Sequence, residues 1–189
     1  MDKLHPTKAE LEFLSLAFNK FYDIYEEILY KSSFWNETAF YRFSKIKEAY
    51  SLYGELQMYE PIKWKLQEMK ISRPPMESEI AKELFKCIRN IFSHFPFFSC
   101  WNEVWITEEL INWNKPNQSI DKFIKKYLNH KEVEYRFWES ETKKMTYVSI
   151  KFPVDFSNKI FLKDIISERE GVKFSLILMK QVMDSCVVK

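Results

Sequence analysis

The chain has 189 residues, 46% apolar, 17% aromatic and 30% charged, which excludes a disordered polymer and suffices for one domain with a sizeable core. Its two glycines, Gly54 and Gly171, exclude the clustered glycines of a P-loop or a dinucleotide-binding turn, and argue for long helices over a turn-rich β fold. A net charge of +2 excludes nucleic-acid binding by bulk electrostatics, so any such binding has to come from a local patch.

Thr7-Lys-Ala-Glu10 reads as a capping box. Leu11, Leu14, Phe18, Phe21, Tyr25 and Ile28 follow at alternating spacings of three and four, predicting a helix over about 7–31. Asn36 is the expected cap of a second helix, with Phe43, Ile46, Tyr50, Tyr53 and Leu56 inward and Pro61 ending or kinking it. Ser72-Arg-Pro-Pro75 reads as a loop. A third helix opens near Met76 or Glu77, turns Ile80, Leu84, Cys87 or Ile88, and Ile91 inward, and ends around His94, because Pro96 biases Phe95 away from helical geometry.

Residues 99–119 read as short helix plus loop, and Ser119 to Asn129 as a short basic helix. "EVEYRFWES" and "MTYVSIKFP" alternate in period two and predict a β-hairpin. Ser167-Glu-Arg-Glu170 reads as a second capping box before a last amphipathic helix carrying Val172, Leu176, Met179, Met183 and Cys186. The expected fold is mainly α: one domain over 1–189, an antiparallel helical bundle, with a short helix and β-hairpin inserted at 114–165 before the last helix.

Cys87, Cys100 and Cys186 are widely spaced and odd in number, which fits neither a disulfide framework nor a metal site and points to a reducing, cytoplasmic setting. The N-terminal residues have no signal-like apolar region, and no apolar run approaches membrane-spanning length, so no membrane partner is expected. No metal or other cofactor is expected either, since His, Asp and Glu show no ligand spacing.

The third helix carries the most informative stretch, "KCIRNIFSHFPFF". Asn90 and His94 form an i, i+4 pair on one face, and Arg89 points about 100° away, which sets the three on the edge of the apolar stripe. His94 falls in the last turn, where the helix dipole favours positive charge. Arginine grips phosphate and stabilises developing charge, histidine moves protons at neutral pH, and RNA supplies its own 2′-hydroxyl nucleophile.

Arg-Asn-Ile-Phe-Ser-His, Arg89 to His94, resembles the R-x4-H signature of the HEPN superfamily, including the polar residue after the arginine. The resemblance implies a helical bundle that dimerises, and a metal-independent endoribonuclease of toxin–antitoxin or phage-defence type whose site is composed across a two-fold axis. Arg89 would bind phosphate, His94 would transfer protons and Asn90 would orient them. RNA would be the substrate, and an antitoxin or other regulatory protein a possible partner. One HEPN toxin subgroup carries a tyrosine two residues after the histidine; Pro96 stands there, which argues against that subgroup. The other reading of the resemblance is a catalytically silent module that binds RNA, a nucleotide or a protein.

Lys86, just before the signature, and Ser93, within it, are candidate substrate contacts. Lys122, Lys125, Lys126 and Lys131 read first as a solvated helix face and second as a groove for an RNA backbone. Trp101, Trp105 and Trp113 read first as packing and second as base-stacking groups. Cys87 reads as core and His130 as a surface residue.

Overall fold

The computed structural model describes residues 7–71, 75–113, 115, 118–139 and 142–186. It is mainly helical, with two small two-stranded sheets. Helix α1 spans Lys8–Tyr30 and opens on the expected capping box: Glu10 N–H donates to Thr7 Oγ1 at 3.3 Å and Thr7 N–H to Glu10 Oε2 at 2.7 Å. Its core contacts begin late. Phe21, Tyr25 and Ile28 are buried, whereas Leu11 stays 54% exposed because the first turns of α1 extend past the core.

The second helix differs from expectation at both ends. A 3-10 turn, Ser32–Asn36, precedes α2, Ala39–Leu56, so Asn36 closes that turn and Thr38 is the cap, its hydroxyl accepting from Tyr41 N–H at 3.3 Å. After Leu56 the chain starts another helix, α3, Glu60–Ile71. Pro61 falls in its first turn, where a proline needs no hydrogen-bonding N–H, so it begins a helix here where a stop or a kink was expected. Helix α4, Pro75–His94, opens at the end of the expected Ser72–Pro75 loop, of which 72–74 lie outside the described residues. Phe95 N–H still donates to Ile91 O at 2.9 Å, and Pro96 has no N–H to continue the ladder.

Beyond α4 come a 3-10 turn, Trp101–Glu103, strand β1, Trp105–Ile106, helix α5, Glu108–Asn112, and helix α6, Ser119–Tyr127. The hairpin is β2, Val133–Glu139, and β3, Lys144–Ile150, antiparallel with Val133 opposite Ile150 and Glu139 opposite Lys144. Strand β4, Ile160–Phe161, pairs with β1 in an antiparallel ladder the sequence pattern did not suggest. Two residues per strand carry too little alternation to read, and the pairing spans more than fifty positions. Helix α7, Leu162–Ile165, and helix α8, Arg169–Cys186, complete the chain. Among the described residues no helix is long and apolar enough to cross a membrane.

One apolar core runs through α1, α2, α4 and α8. Phe92 lies at its centre, its ring 5.2 Å from Phe43, 5.8 Å from Tyr50 and 6.0 Å from Trp101. The hairpin turns Phe137, Val148 and Ile150 inward and stacks Tyr135 against Phe174 of α8 at 4.7 Å.

A buried ion pair fastens the hairpin to α8. Lys173, with a side chain 1% exposed, donates from Nζ to Glu139 Oε1 at 2.9 Å. Removing one member of such a pair strands the other charge, so Lys173→Ala should lower unfolding stability by about 3 kcal/mol, and Lys173→Met with Glu139→Leu should recover most of it in urea titrations at pH 7. Burial tends to raise the Glu139 pKa, but hydrogen bonds from Lys173 and Thr142 and the Lys173 and Arg169 charges outweigh it, leaving the carboxyl below its usual 4.5. The pair's contribution is therefore complete above pH 4.5 and lost as pH falls through the lower folded value. Acid unfolding curves of Glu139→Gln should be flatter than wild type in that range.

Candidate functional site at the end of helix α4

The apolar face of α4 decides where its polar residues go. Ile80, Leu84, Cys87, Ile88, Ile91 and Phe92 are buried, which turns Arg89 toward α2 and leaves Lys86, Ser93 and His94 exposed. Arg89 crosses α2 at its glycine. A Cβ built on Gly54 would sit 2.8 Å from Arg89 Nε and 2.9 Å from its Cγ, so the absent side chain is the space the arginine occupies.

Past Gly54 the guanidinium is held from two sides. Nη2 donates to Glu55 Oε1 at 2.6 Å, and Nη1 donates to Asn90 Oδ1 at 3.1 Å. Of its five N–H donors these two are used, and among the described residues the other three have no partner. The Arg89 side chain is 28% exposed and that of Glu55 62%, so their attraction is solvent-screened and contributes about 1 kcal/mol or less.

Asn90 lies inside the protein instead of on a helix edge. It is 5% exposed, because the start of α6 covers that side of α4 and Asn90 Nδ2 donates to Ser119 Oγ at 2.7 Å. His94, one turn on, lies beyond the cover of α6 and is exposed. Among the described residues it makes no hydrogen bond or ion pair. Arg89 and His94 stand roughly 140° apart around the helix and about 7.5 Å along it. Ser93 donates its hydroxyl to Arg89 O at 2.9 Å. Lys47 of α2 reaches the same end of α4 and donates to Pro96 O at 3.5 Å.

The other candidates lie elsewhere. Helix α6 runs antiparallel to α4, with Ser119 at Asn90 and Lys126 at Glu83, so its last turn lies about 16 Å along the α4 axis from His94. Lys126 Nζ donates to both Glu83 carboxylate oxygens at 3.1 Å. Lys125 bridges Glu108 at 2.7 Å and Asp121 at 3.1 Å, and those two carboxylates raise its pKa. Lys122 and Lys131 are exposed. Trp101 is fully buried and donates from Nε1 to Ile166 O at 3.2 Å, whereas Trp113 is 79% exposed. Cys87 is buried, which pushes its thiol pKa far up, and His130 is exposed beside the rings of Tyr127 and Phe152. Among the described residues no three His, Cys, Asp or Glu side chains come together as a metal-ligand group.

Gly54, Glu55 and Lys47 were missed in the sequence. One signal was present, a glycine inside an otherwise regular helix, which often marks a close approach. No family model, no curated protein and no solved structure matches this chain.

Gly54→Ala tests the bracket around Arg89. The substitution favours helix by up to about 1 kcal/mol yet forces the arginine off its seat. Thermal melts should show the fold kept, within about 1 kcal/mol, while a crystal structure should show the Arg89–Glu55 contact broken.

Proposed function

We propose that this chain is a metal-independent endoribonuclease with a HEPN-like bundle, acting as a toxin or in phage defence. The observation that carries the proposal is the exposed His94 at the C-terminal end of α4, with an oriented Arg89 guanidinium about one and a half turns before it on the same helix. In this reading the 2′-oxygen of RNA bonds to the adjacent phosphorus as the bond to the 5′-oxygen breaks. The products are a 2′,3′-cyclic phosphate and a 5′-hydroxyl. The 2′-hydroxyl gives up a proton and the leaving oxygen takes one. His94 moves protons, and the uncommitted Arg89 donors hold the phosphate and offset its growing charge.

One imidazole cannot accept the first proton and deliver the second at the same instant. The roughly 140° between Arg89 and His94 also spreads the pair around one helix. Both considerations favour a homodimer that brings two copies of the pair to one cleft. Ser93 and Lys86, exposed on the same helix, are then within the reach of a bound strand.

A second reading is a silent binding module for RNA, a nucleotide or a protein. It is favoured by the 2.6 Å contact of Glu55 with Arg89 and by the use of both ends of the Asn90 amide within the chain.

Cleavage of a mixed RNA pool in EDTA, with product ends mapped, separates the two. Wild type should cut and leave cyclic-phosphate ends, and His94→Ala should be slower by about 100-fold or more. Arg89→Lys should also fail, since an ammonium cannot reproduce the planar fork. Equal cleavage by wild type and His94→Ala would remove the mechanism, and no cleavage by a dimeric wild type would favour the silent module.

A further inference from the structure

The turn after α4 carries an aromatic cluster in which Phe95 and Phe98 pack against the core and Phe97 stands out from it. Phe97 is 67% exposed, although burying a phenylalanine is ordinarily worth roughly 1.5–3 kcal/mol. Its ring is backed by Phe98 at 4.6 Å and Phe95 at 6.1 Å, and Phe98 lies 6.2 Å from Trp105 of β1. The cluster is rimmed by cations. Lys159 Nζ stands 4.2 Å over the Trp105 ring, and Lys47 Nζ is held at Pro96 O. The exposed His94 is three residues from Phe97.

We propose that the exposed Phe97 ring, braced by Phe95 and Phe98 in a cluster that carries Lys47 at Pro96 and Lys159 over Trp105, is a stacking platform for an unpaired base of single-stranded RNA. The chemistry selects that occupant. An aromatic face with ammonium groups at its rim matches a nucleobase with phosphates on either side, and stacking on aromatics is how proteins hold unpaired bases. A protein partner seated on Phe97 would have to cover the same lysines and bring acidic groups to match their charge, which the phosphates on either side of a base already supply. A duplex keeps its bases stacked inside and offers no free face. The inference deepens the ribonuclease reading by setting its substrate class: a strand with an unpaired base beside the phosphate that His94 serves.

The test uses the full chain and a fluorescein-labelled, single-stranded 2′-O-methyl oligonucleotide, which binds like RNA and cannot be cut. Fluorescence anisotropy should show that wild type prefers this strand to its duplex. Phe97→Ala should bind about ten-fold more weakly. Phe97→Trp should restore affinity, and Lys159→Gln should lower the slope of log affinity against log salt by about one. Sedimentation should show the same oligomeric state for wild type and Phe97→Ala. The proposal falls if wild type does not bind the strand, if Phe97→Ala binds as well as wild type, or if Phe97→Ala changes the oligomeric state, which would make the ring a contact between copies. The two readings fail separately. Loss of cleavage in His94→Ala with binding indifferent to Phe97 leaves the nuclease and removes the platform; Phe97-dependent binding with cleavage unaffected in His94→Ala does the reverse.

Discussion

Everything at the candidate site depends on burying one face of α4. Ile88, Ile91 and Phe92 are each at most 2% exposed, and a buried side chain of that size contributes roughly 1.5–3 kcal/mol. The exposed Arg89–Glu55 pair contributes about 1 kcal/mol or less. The apolar term therefore sets the rotation of the helix, and the polar residues take the directions left to them. Phe92, between Arg89 and His94 in sequence, stands about 60° from Arg89 and about 160° from His94 around the helix, and points into the rings of Phe43, Tyr50 and Trp101. A change of rotation that moved Arg89 or His94 would have to pull that ring from its neighbours.

Within this constraint Arg89 is prepared by subtraction as much as by contact. Gly54 removes a side chain, the guanidinium passes over the gap, and Glu55 and Asn90 fix it from either side. Such bracketing lowers the entropy an arginine loses when it grips a phosphate. A phosphate at this guanidinium would meet a competitor, because the Glu55 carboxylate already holds one nitrogen. Glu55 is 62% exposed and can swing into water, whereas Asn90 is buried and tied to Ser119. The two brackets thus differ in kind: Asn90 is a fixed positioning group, and Glu55 is a displaceable one.

What the sequence disclosed follows from the range of the forces involved. The stripes of α4 and α8 and the period-two faces of β2 and β3 are local patterns and appear in the structure as read, Val172, Leu176, Met179 and Met183 buried on α8, with the Cys186 side chain outside the described residues, and Phe137, Val148 and Ile150 inward on the hairpin. The break between α2 and α3 was not legible, because Pro61 serves equally well as a stop and as a first-turn residue, and only the path of the chain selects between them. The β1–β4 ladder and the burial of Asn90 depend on segments far apart in sequence. The place of Arg89 and His94 near the C-terminal end of one helix was legible from the pattern. The Gly54–Glu55 seat was not, since it arises where two helices cross.

The segment between α4 and α8 is more than an appendage to the bundle, because its packing reaches the signature helix. Trp101 is fully buried, contacts Phe92 of α4 at 6.0 Å, and donates to Ile166 O just before α8. Leu162 N–H donates to Val104 O at 2.9 Å and Lys151 N–H to Ile165 O at 2.9 Å, which stitches the 3-10 turn, the hairpin's exit and α7 together. The hairpin is then locked to α8 by Lys173 and Glu139. Phe97 and Phe98 lie between these anchored parts, on a turn whose two ends, His94 and Trp101, are both fixed by helix and core. That explains how the turn can hold a large ring in solvent. Its backbone is set at one end by helix α4 and at the other by the buried Trp101, and the Phe97 ring is braced by Phe95 and Phe98.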